Sequence, residues 1–225
     1  MRIAVAVLTF EQYTNDRTGL FDQTVKSLRD GADHAFDLFV VDNGSQDGTA
    51  DRVRELGGYC YTGSNTTSGH GTNLCARITQ GSGADLCVLS DDDMEWHSGW
   101  DTALRDWWTH VPDSVKLTGC HLEPEYPWNT IRSTIDVNGR RGLIRASTGA
   151  ASWSFRNQDW KLIGPIPQVK QGWGDVPACN RLEARGFQIA QIDLATHAGG
   201  NASTWGNGSS DLTRLPLDRD RWGLS

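Results

Sequence analysis

The chain has 225 residues, of which 37% are hydrophobic and 22% charged, so it carries enough apolar sequence for a folded core. Its 28 acidic residues outnumber its 21 Lys and Arg, and the net charge of −7 argues against general binding to nucleic acid or anionic lipid. No apolar stretch is long enough for a transmembrane helix or a signal peptide, and we therefore expect a cytoplasmic protein without membrane insertion.

The first half of the chain alternates apolar strand patterns with helical ones. Runs of apolar residues, typical of strands covered on both faces, predict strands at 3–9, 36–42, 59–61 and 84–90. Helical spacing of apolar residues predicts helices at 18–30, 48–56 and, after the glycine-rich residues 63–73, up to residue 80. Strands that alternate with helices in this way favour a parallel sheet.

The second half has a different character, with shorter strand patterns that follow one another. Strands are predicted at 115–121, 131–137, 142–146, 150–155 and 187–193, and helices from residue 98, at 157–163 and at 175–185. Ser98 and Asp101 have the spacing of a helix capping box, and Asn138-Gly139 is a strong two-residue hairpin signal. The whole pattern predicts a single α/β domain, with a parallel sheet in front and a mixed sheet behind.

Acidic residues stand where two of the predicted strands end. Asp42 closes the second strand, and Asp91, Asp92 and Asp93 directly follow the fourth. In open α/β sheets ligands bind beyond the carboxyl ends of the strands. Three consecutive carboxylates repel one another unless a cation neutralises them, and such oxygen ligands suit Mg²⁺ or Mn²⁺. The alternative is a solvated turn cap, which a single aspartate would favour but three at the end of a buried strand do not.

His197 follows the last predicted strand and precedes the Gly-, Ser- and Asn-rich residues 198–211. An imidazole suits Mn²⁺ better than Mg²⁺, so His197 is a candidate to complete the aspartate site. A packed or surface histidine is the alternative. The residues that follow have the composition of a mobile lid over a phosphate-bearing substrate.

Two further groups of residues leave alternatives open. Trp173, between two glycines, is a candidate for stacking on a sugar or base, whereas Trp153 is expected in the core. Arg140, Arg141 and Arg145 flank the predicted hairpin. They form either a solvated sheet edge or a contact surface for an anionic acceptor.

Six elements in this order carry a family resemblance. They are VLTF followed by VKSL, FVVDNGSQDGT, Asn73 at a helix start, LCVLSDDDMEWHSGW, TGAASWSFRNQDWKLIGPI and QGWGDVPACNRLEARGF. Together they resemble the family-two glycosyltransferases of the GT-A fold, over about residues 2 to 197. The resemblance implies one domain over 1–225, with a nucleotide-sugar half at 1–97, an acceptor half at 98–197 and a C-terminal lid or tail at 198–225.

The resemblance also implies ligands and roles for single residues. It implies a nucleoside diphosphate sugar as donor, with a UDP-sugar favoured, and a divalent cation, Mn²⁺ or Mg²⁺. The residues that it assigns to the donor are Thr9, Asp42, Asn73, Asp91 and Asp92, and Asp42 in particular would accept a hydrogen bond from the base. In this resemblance Asp91 and Asp93 would be the D-x-D pair, which would hold the metal together with His197.

On the acceptor side the resemblance assigns the catalytic carboxylate to Asp175 and an acceptor or sugar contact to Trp173. A general base must take the proton of the acceptor hydroxyl as it attacks the anomeric carbon, and a single displacement of this kind inverts that carbon. Asp175 is also a favoured helix N-cap residue, ahead of Val176-Pro177. The chain departs from the family pattern at Gly174, where an acidic residue is common, and at Thr72, where an arginine is common.

Two other functions are open from the sequence. A sugar-phosphate nucleotidyltransferase would need a glycine-rich basic loop after the first strand, where the chain has Thr9-Phe10-Glu11-Gln12. A non-catalytic sugar-nucleotide or carbohydrate-binding module would not need three aspartates and a base. The acceptor is open among a glycan, a protein, a small molecule and a hydroxymethylated DNA base, and the net charge does not favour the last.

Overall fold

The computed structural model describes residues 1–10, 18–60, 67–120, 130–167 and 175–197. The predictions for Trp173 and for a lid or tail at 198–225 lie outside these residues. Within them, no helix is long and apolar enough to cross a lipid bilayer.

The helices and strands follow the predicted order closely. The strands are β1 Ile3–Thr9, β2 Asp37–Asp42, β3 Tyr59–Cys60, β4 Leu86–Asp91, β5 Met94–Trp96, β6 Val115–Cys120, β7 Ile131–Val137, β8 Arg140–Arg145, β9 Ser154–Arg156, β10 Gln188–Ile192 and β11 Ala195–His197. The helices are α1 Thr18–Asp30, α2 Thr49–Glu55, α3 Ser68–Gly81, α4 Trp100–His110, α5 Trp160–Ile163 and α6 Asp175–Glu183. Single 3₁₀ turns lie at Ala150–Ser152 and Asn157–Asp159.

Nine of the strands in the described part of the chain form one sheet, in the order β3-β2-β1-β4-β9-β6-β10-β8-β7. The first four are parallel, whereas β9 runs antiparallel to both β4 and β6. The predicted α/β class, parallel in front and mixed behind, is therefore confirmed. Thr9 pairs with Asp42, and Leu8 pairs with Asp91, so the carboxyl ends of β1, β2 and β4 lie side by side.

Helices cover both faces of this sheet. Alternate residues of a strand point to opposite faces, and Val5 and Val7 of β1 pack in the same cluster as residues of α1 and α4. Ala6 packs in the other cluster, with residues of α3, α5 and α6. Trp153 is buried in this second cluster, so its predicted core position is confirmed.

The predicted hairpin is present, but the predicted capping box is not. Asn138 and Gly139 both have positive φ, 52° and 80°, as a two-residue hairpin turn requires. Helix α4 begins after Gly99, whose φ is 73°, and no side chain caps it. The Asp101 carboxylate instead accepts hydrogen bonds from the Asp33 N–H at 2.8 Å and from the His34 ring. A contact with a distant loop therefore replaces the local cap.

Helix α3 begins earlier than expected, inside the glycine-rich stretch. The Thr67 side chain caps it by accepting the N–H of His70 at 3.1 Å. Glycine normally weakens a helix, but two glycines of this first turn lie against other parts of the chain. A Cβ on Gly69 would lie 2.4 Å from the Pro167 carbonyl oxygen, and one on Gly71 would lie 2.6 Å from Leu8. These close approaches leave little room for a side chain at Gly69 or Gly71, which accounts for glycine at both positions.

A second, two-stranded sheet was not predicted. Strands β5 and β11 pair antiparallel, with Met94 opposite His197 and Trp96 opposite Ala195. Each has three residues, which is too short for a period-two pattern to be recognised in the sequence. This small sheet decides where His197 lies.

Candidate active site

The candidate site begins where β1 and β2 end. The Thr9 hydroxyl is buried and has no hydrogen-bond partner among the residues that the structure describes. Buried hydroxyls are normally satisfied, so this one is available to a bound molecule or to water. The N–H of Asn43 donates to the Thr9 carbonyl at 3.0 Å and fixes the loop that leaves β2.

Asp42 is only 1% exposed and holds the loop that follows it. Its carboxylate accepts hydrogen bonds from the N–H of Ser45, at 3.2 Å from Oδ2, and from the Ser45 hydroxyl. Asp47 acts in the same way on the next turn, where its Oδ1 accepts from the Thr49 N–H and hydroxyl at 3.1 and 2.6 Å. The loop after β2 is thus tied by two carboxylates, and the contact of Asp42 with a base stays a prediction.

The three consecutive aspartates lie at the end of β4. Asp91 is the last residue of the strand, and Asp92 and Asp93 form the turn into β5 with exposed fractions of 5% and 4%. Helix α1 holds the following strand. The N–H of Met94 donates to the Thr24 hydroxyl at 2.9 Å, and that of Trp96 donates to the Ser27 hydroxyl at 3.0 Å. These hydrogen bonds to α1 hold β5, and with it the preceding aspartate turn, in place.

Pairing of β11 with β5 brings His197 to this turn. The His197 Nδ1 lies 3.7 Å from the Asp93 Oδ1, and the imidazole side chain is 20% exposed. Asp93 and His197 are far apart in the sequence, and the pairing of β5 with β11 brings them together. A second histidine–aspartate contact joins the Nδ1 of His97, the residue after β5, to the Oδ1 of Asp193, the residue after β10, at 3.5 Å.

The side chains fit an open cation site rather than a closed one. No three His, Cys, Asp or Glu side chains of the described residues are grouped closely enough to hold a metal by themselves. Mg²⁺ and related cations commonly take one or two protein ligands and complete their shell with substrate phosphates and water. A carboxylate and an imidazole, as Asp93 and His197 supply, fit such a shared site. The metal role of Asp91 stays a prediction.

Asp175 is the first residue of α6 and is partly buried. Burial raises the pKa of its carboxyl to about 6, although hydrogen bonds from backbone groups, among them those of Val176 and Ala150, act in the opposite direction. Gly149 lies alongside, since a Cβ on it would be 3.9 Å from the Asp175 Oδ2. A carboxylate at a helix N-terminus ordinarily has a lowered pKa, so burial outweighs the effect of the helix at Asp175.

The amide of Asn73 is engaged on both sides. Its Nδ2 donates to the Ile166 carbonyl and its Oδ1 accepts the Ile166 N–H, each at 2.8 Å. The side chain is only 7% exposed. The sequence did not indicate this contact with the Ile166 backbone. The predicted contact of Asn73 with the donor stays a prediction.

The sequence profile described as glycosyl transferase family 2 matches residues 16–153 of this chain. That range is more than half of the 225 residues and includes the loop after β2 and the aspartate turn. The chain belongs to glycosyl transferase family 2. No curated protein sequence matches it significantly.

Solved structures with the same fold share little sequence with this family 2 chain. TarS of S. aureus has a TM-score of 0.62 and 15% identity, over 88% of this chain and 37% of its own. The mannosyltransferase PcManGT from Pyrobaculum calidifontis, in complex with GDP-Man and Mn²⁺, has a TM-score of 0.64 and 16% identity, over 89% and 59%. Glucosyl-3-phosphoglycerate synthase from Mycobacterium tuberculosis, in complex with Mg²⁺ and UDP, has a TM-score of 0.59 and 14% identity, over 88% and 72%.

These likenesses establish the shared fold. The chain spans about two fifths of the length of TarS and about three fifths of that of PcManGT. The family resemblance drawn from the sequence motifs is confirmed.

The arginines that flank the hairpin of this family 2 chain differ in their exposure. Arg141 is exposed, whereas Arg145 is only 2% exposed and lies in β8 between β10 and β7. Arg145 therefore belongs to the sheet interior and not to a solvated edge. Its burial was not foreseen because it depends on which parts of the chain cover that face of β8.

Proposed function

We propose that this family 2 chain transfers a sugar from a nucleoside diphosphate sugar to an acceptor hydroxyl, with a divalent cation at the aspartate turn. The observation that carries the proposal is the meeting of Asp93 and His197 at 3.7 Å, beside the ends of β1 and β2. The complexes of PcManGT with GDP-Man and Mn²⁺ and of the synthase with Mg²⁺ and UDP support the ligand class.

On the donor side, we assign the nucleotide to the ends of β1, β2 and β4. The Thr9 hydroxyl is an available buried donor and acceptor, and the Asp42 carboxylate lies next to it in register. A carboxylate can accept the N–H of uracil, which is compatible with the UDP-sugar that we favour as donor. Asp91 and Asp92 would contact the sugar nucleotide from β4.

Asp93 and His197 already lie together and would share the cation with the donor diphosphate, and Asp91 is proposed as a further ligand. The imidazole favours Mn²⁺ over Mg²⁺. A divalent cation, when bound there, neutralises negative charge that develops on the departing diphosphate. The protein positions these ligands. Hydrogen bonds from β5 to α1 hold the aspartate turn, and the pairing of β11 with β5 places His197 next to it.

On the acceptor side, Asp175 takes the proton. The acceptor oxygen forms a bond to the anomeric carbon, the bond from that carbon to the diphosphate oxygen breaks, and the hydroxyl proton passes to the Asp175 carboxylate. One displacement of this kind inverts the anomeric carbon. A pKa of about 6 keeps the base ionised at neutral pH while leaving it basic enough to accept the proton.

Membership of glycosyl transferase family 2 favours this reaction over a nucleotidyltransferase. The acceptor is proposed only as a hydroxyl of a glycan, a protein, a small molecule or a modified DNA base. A non-catalytic binding module would bind the donor without turning it over. A measurement of donor turnover therefore distinguishes such a module from a transferase.

The test combines a thermal-shift screen with donor turnover. UDP- and GDP-sugars are added with and without Mn²⁺, and released nucleotide is measured. We expect one donor class to raise the melting temperature only when Mn²⁺ is present, since a ligand of the folded state stabilises it by mass action. His197→Ala should lose this effect.

His97→Ala is the matched control, because His97 makes a similar contact with Asp193 beside the same small sheet. It should keep the Mn²⁺-dependent shift. If no donor gives a shift with the wild-type chain, or if both histidine variants lose it equally, the proposed site is wrong.

A further inference from the structure

Residues 163–167, which we call the 163–167 segment, are held by side chains from two helices. Arg181 of α6 donates from Nη2 to the carbonyls of Ile163 and Pro165, the latter at 2.7 Å. Asn73 of α3 bonds both the N–H and the carbonyl of Ile166 at 2.8 Å. The segment therefore has polar contacts to each helix along its backbone.

Packing reinforces these contacts. The Ile163 and Ile166 side chains are buried in the cluster between the sheet and α3, α5 and α6. Helix α3 also lies directly on the segment, since a Cβ on Gly69 would come 2.4 Å from the Pro167 carbonyl oxygen. Buried backbone groups with two fixed partners leave the segment little freedom to shift.

The two helices belong to the two sides of the proposed reaction. The first turn of α3 packs on the donor side, where a Cβ on Gly71 would lie 2.6 Å from Leu8 and 3.0 Å from the Asn43 Nδ2. Helix α6 begins with Asp175 and reaches Arg181 six residues later, about 9 Å along its axis. The 163–167 segment therefore connects the donor side to the helix that carries Asp175.

We propose that Asn73 and Arg181 are positioning residues, which hold α6 and its Asp175 in register with the donor side through the 163–167 segment. This inference rests on the proposed function for its kinetic consequence. A misplacement of about 1 Å in a reacting group reduces turnover by roughly 100-fold, so two hydrogen-bonded anchors in this position matter for rate. Asn73 then acts through the backbone of Ile166 rather than by direct contact with the donor.

The kinetic test uses Asn73→Ala and Arg181→Ala with a matched control, Gln80→Ala. Gln80 also lies on α3 and also bonds a backbone carbonyl, that of Asn157 at 3.2 Å, but at the opposite end of the helix from the donor side. We expect the first two variants to lose roughly 10- to 100-fold in kcat, with the KM for the donor changed by less than about 3-fold. The control should keep both constants within about 3-fold.

A second readout does not need turnover. The pKa of the Asp175 carboxyl is set by burial and backbone hydrogen bonds, so it reports the position of α6. Measured by ¹³C NMR on the full chain, it should fall from about 6 towards the ordinary value of about 4 in Asn73→Ala and Arg181→Ala. It should stay unchanged in Gln80→Ala. The ionisable side chain nearest along α6, Cys179, has a pKa raised far above neutrality by burial and stays uncharged.

The outcomes separate this inference from the proposed function. If the wild-type chain turns over no donor, the proposed function fails, and the NMR titration still decides whether Asn73 and Arg181 hold α6. An unchanged Asp175 pKa in both variants, or a loss of kcat equal to that of Gln80→Ala, overturns the inference. A rise in donor KM alone for Asn73→Ala also overturns it, in favour of direct donor contact. Should an alanine variant not fold, Asn73→Asp and Arg181→Lys replace it, each retaining one bond and giving intermediate effects.

Discussion

Asp175→Asn should make the chain less active and more stable at neutral pH. The carboxyl has a pKa of about 6 in the folded chain against an ordinary value of about 4, so folding favours its protonated form. The wild-type chain therefore loses stability as the pH rises from about 4 through 6, because the ionised carboxylate is poorly solvated where it lies. Integrated over that range, the difference is at most about 3 kcal/mol.

Asparagine has nearly the same shape and cannot ionise, so it removes this penalty. Part of the gain is lost, because an amide accepts the N–H of Ala150 or Val176 less strongly than a carboxylate does. We therefore expect Asp175→Asn to be about 1–2 kcal/mol more stable than the wild-type chain at pH 7, and no more stable at pH 4. Turnover should fall by roughly 10²–10⁴, the usual contribution of a general base.

Two measurements check this prediction. Urea unfolding at pH 4 and pH 7 gives the stability difference between the two chains. The wild-type kcat/KM, measured across the same range, should rise with pH through an apparent pKa of about 6. If Asp175 only caps α6, Asp175→Asn should leave activity nearly unchanged and give no gain in stability, since Asn and Asp are equally good N-caps. That pattern would refute the assignment of Asp175 as the base.

Three further predictions concern the aspartate turn, its support by α1, and the packing of α3. Asp93→Asn should abolish Mn²⁺-dependent donor binding in calorimetry while the chain stays folded; full activity in chelator would contradict it. Thr24→Val should lower stability by about 1–3 kcal/mol and weaken Mn²⁺-dependent donor binding, because it removes the acceptor for the buried N–H that opens β5. Gly69→Ala should destabilise by about 1–3 kcal/mol despite its better helix propensity, since the new methyl group would meet the Pro167 carbonyl, whereas Gly81→Ala in the same helix meets nothing and should be neutral or stabilising. Equal melting temperatures for the two glycine variants would show that α3 can shift away from that carbonyl.

Elements with a local sequence signal could be predicted before the structure was known. Apolar runs and helical spacing located β1, β4 and α1 to within two residues, because each element buries its own regular pattern of side chains. The same patterns placed the three aspartates at a strand end, and Asn138-Gly139 specified a hairpin through backbone angles that few residues adopt. Motif order was enough for the family resemblance, which the match over residues 16–153 confirms.

Contacts between residues that are distant in the chain could not be predicted and became visible in the folded structure. Strands β5 and β11 are too short to leave a pattern, yet their pairing brings His197 to Asp93. Likewise Asn73 bonds Ile166 across 93 residues, and no local rule predicts such a partner. The raised pKa of Asp175 depends on what buries it. In each case the free energy comes from groups that are far apart in the chain and close in space, so it has no signature in a window of sequence.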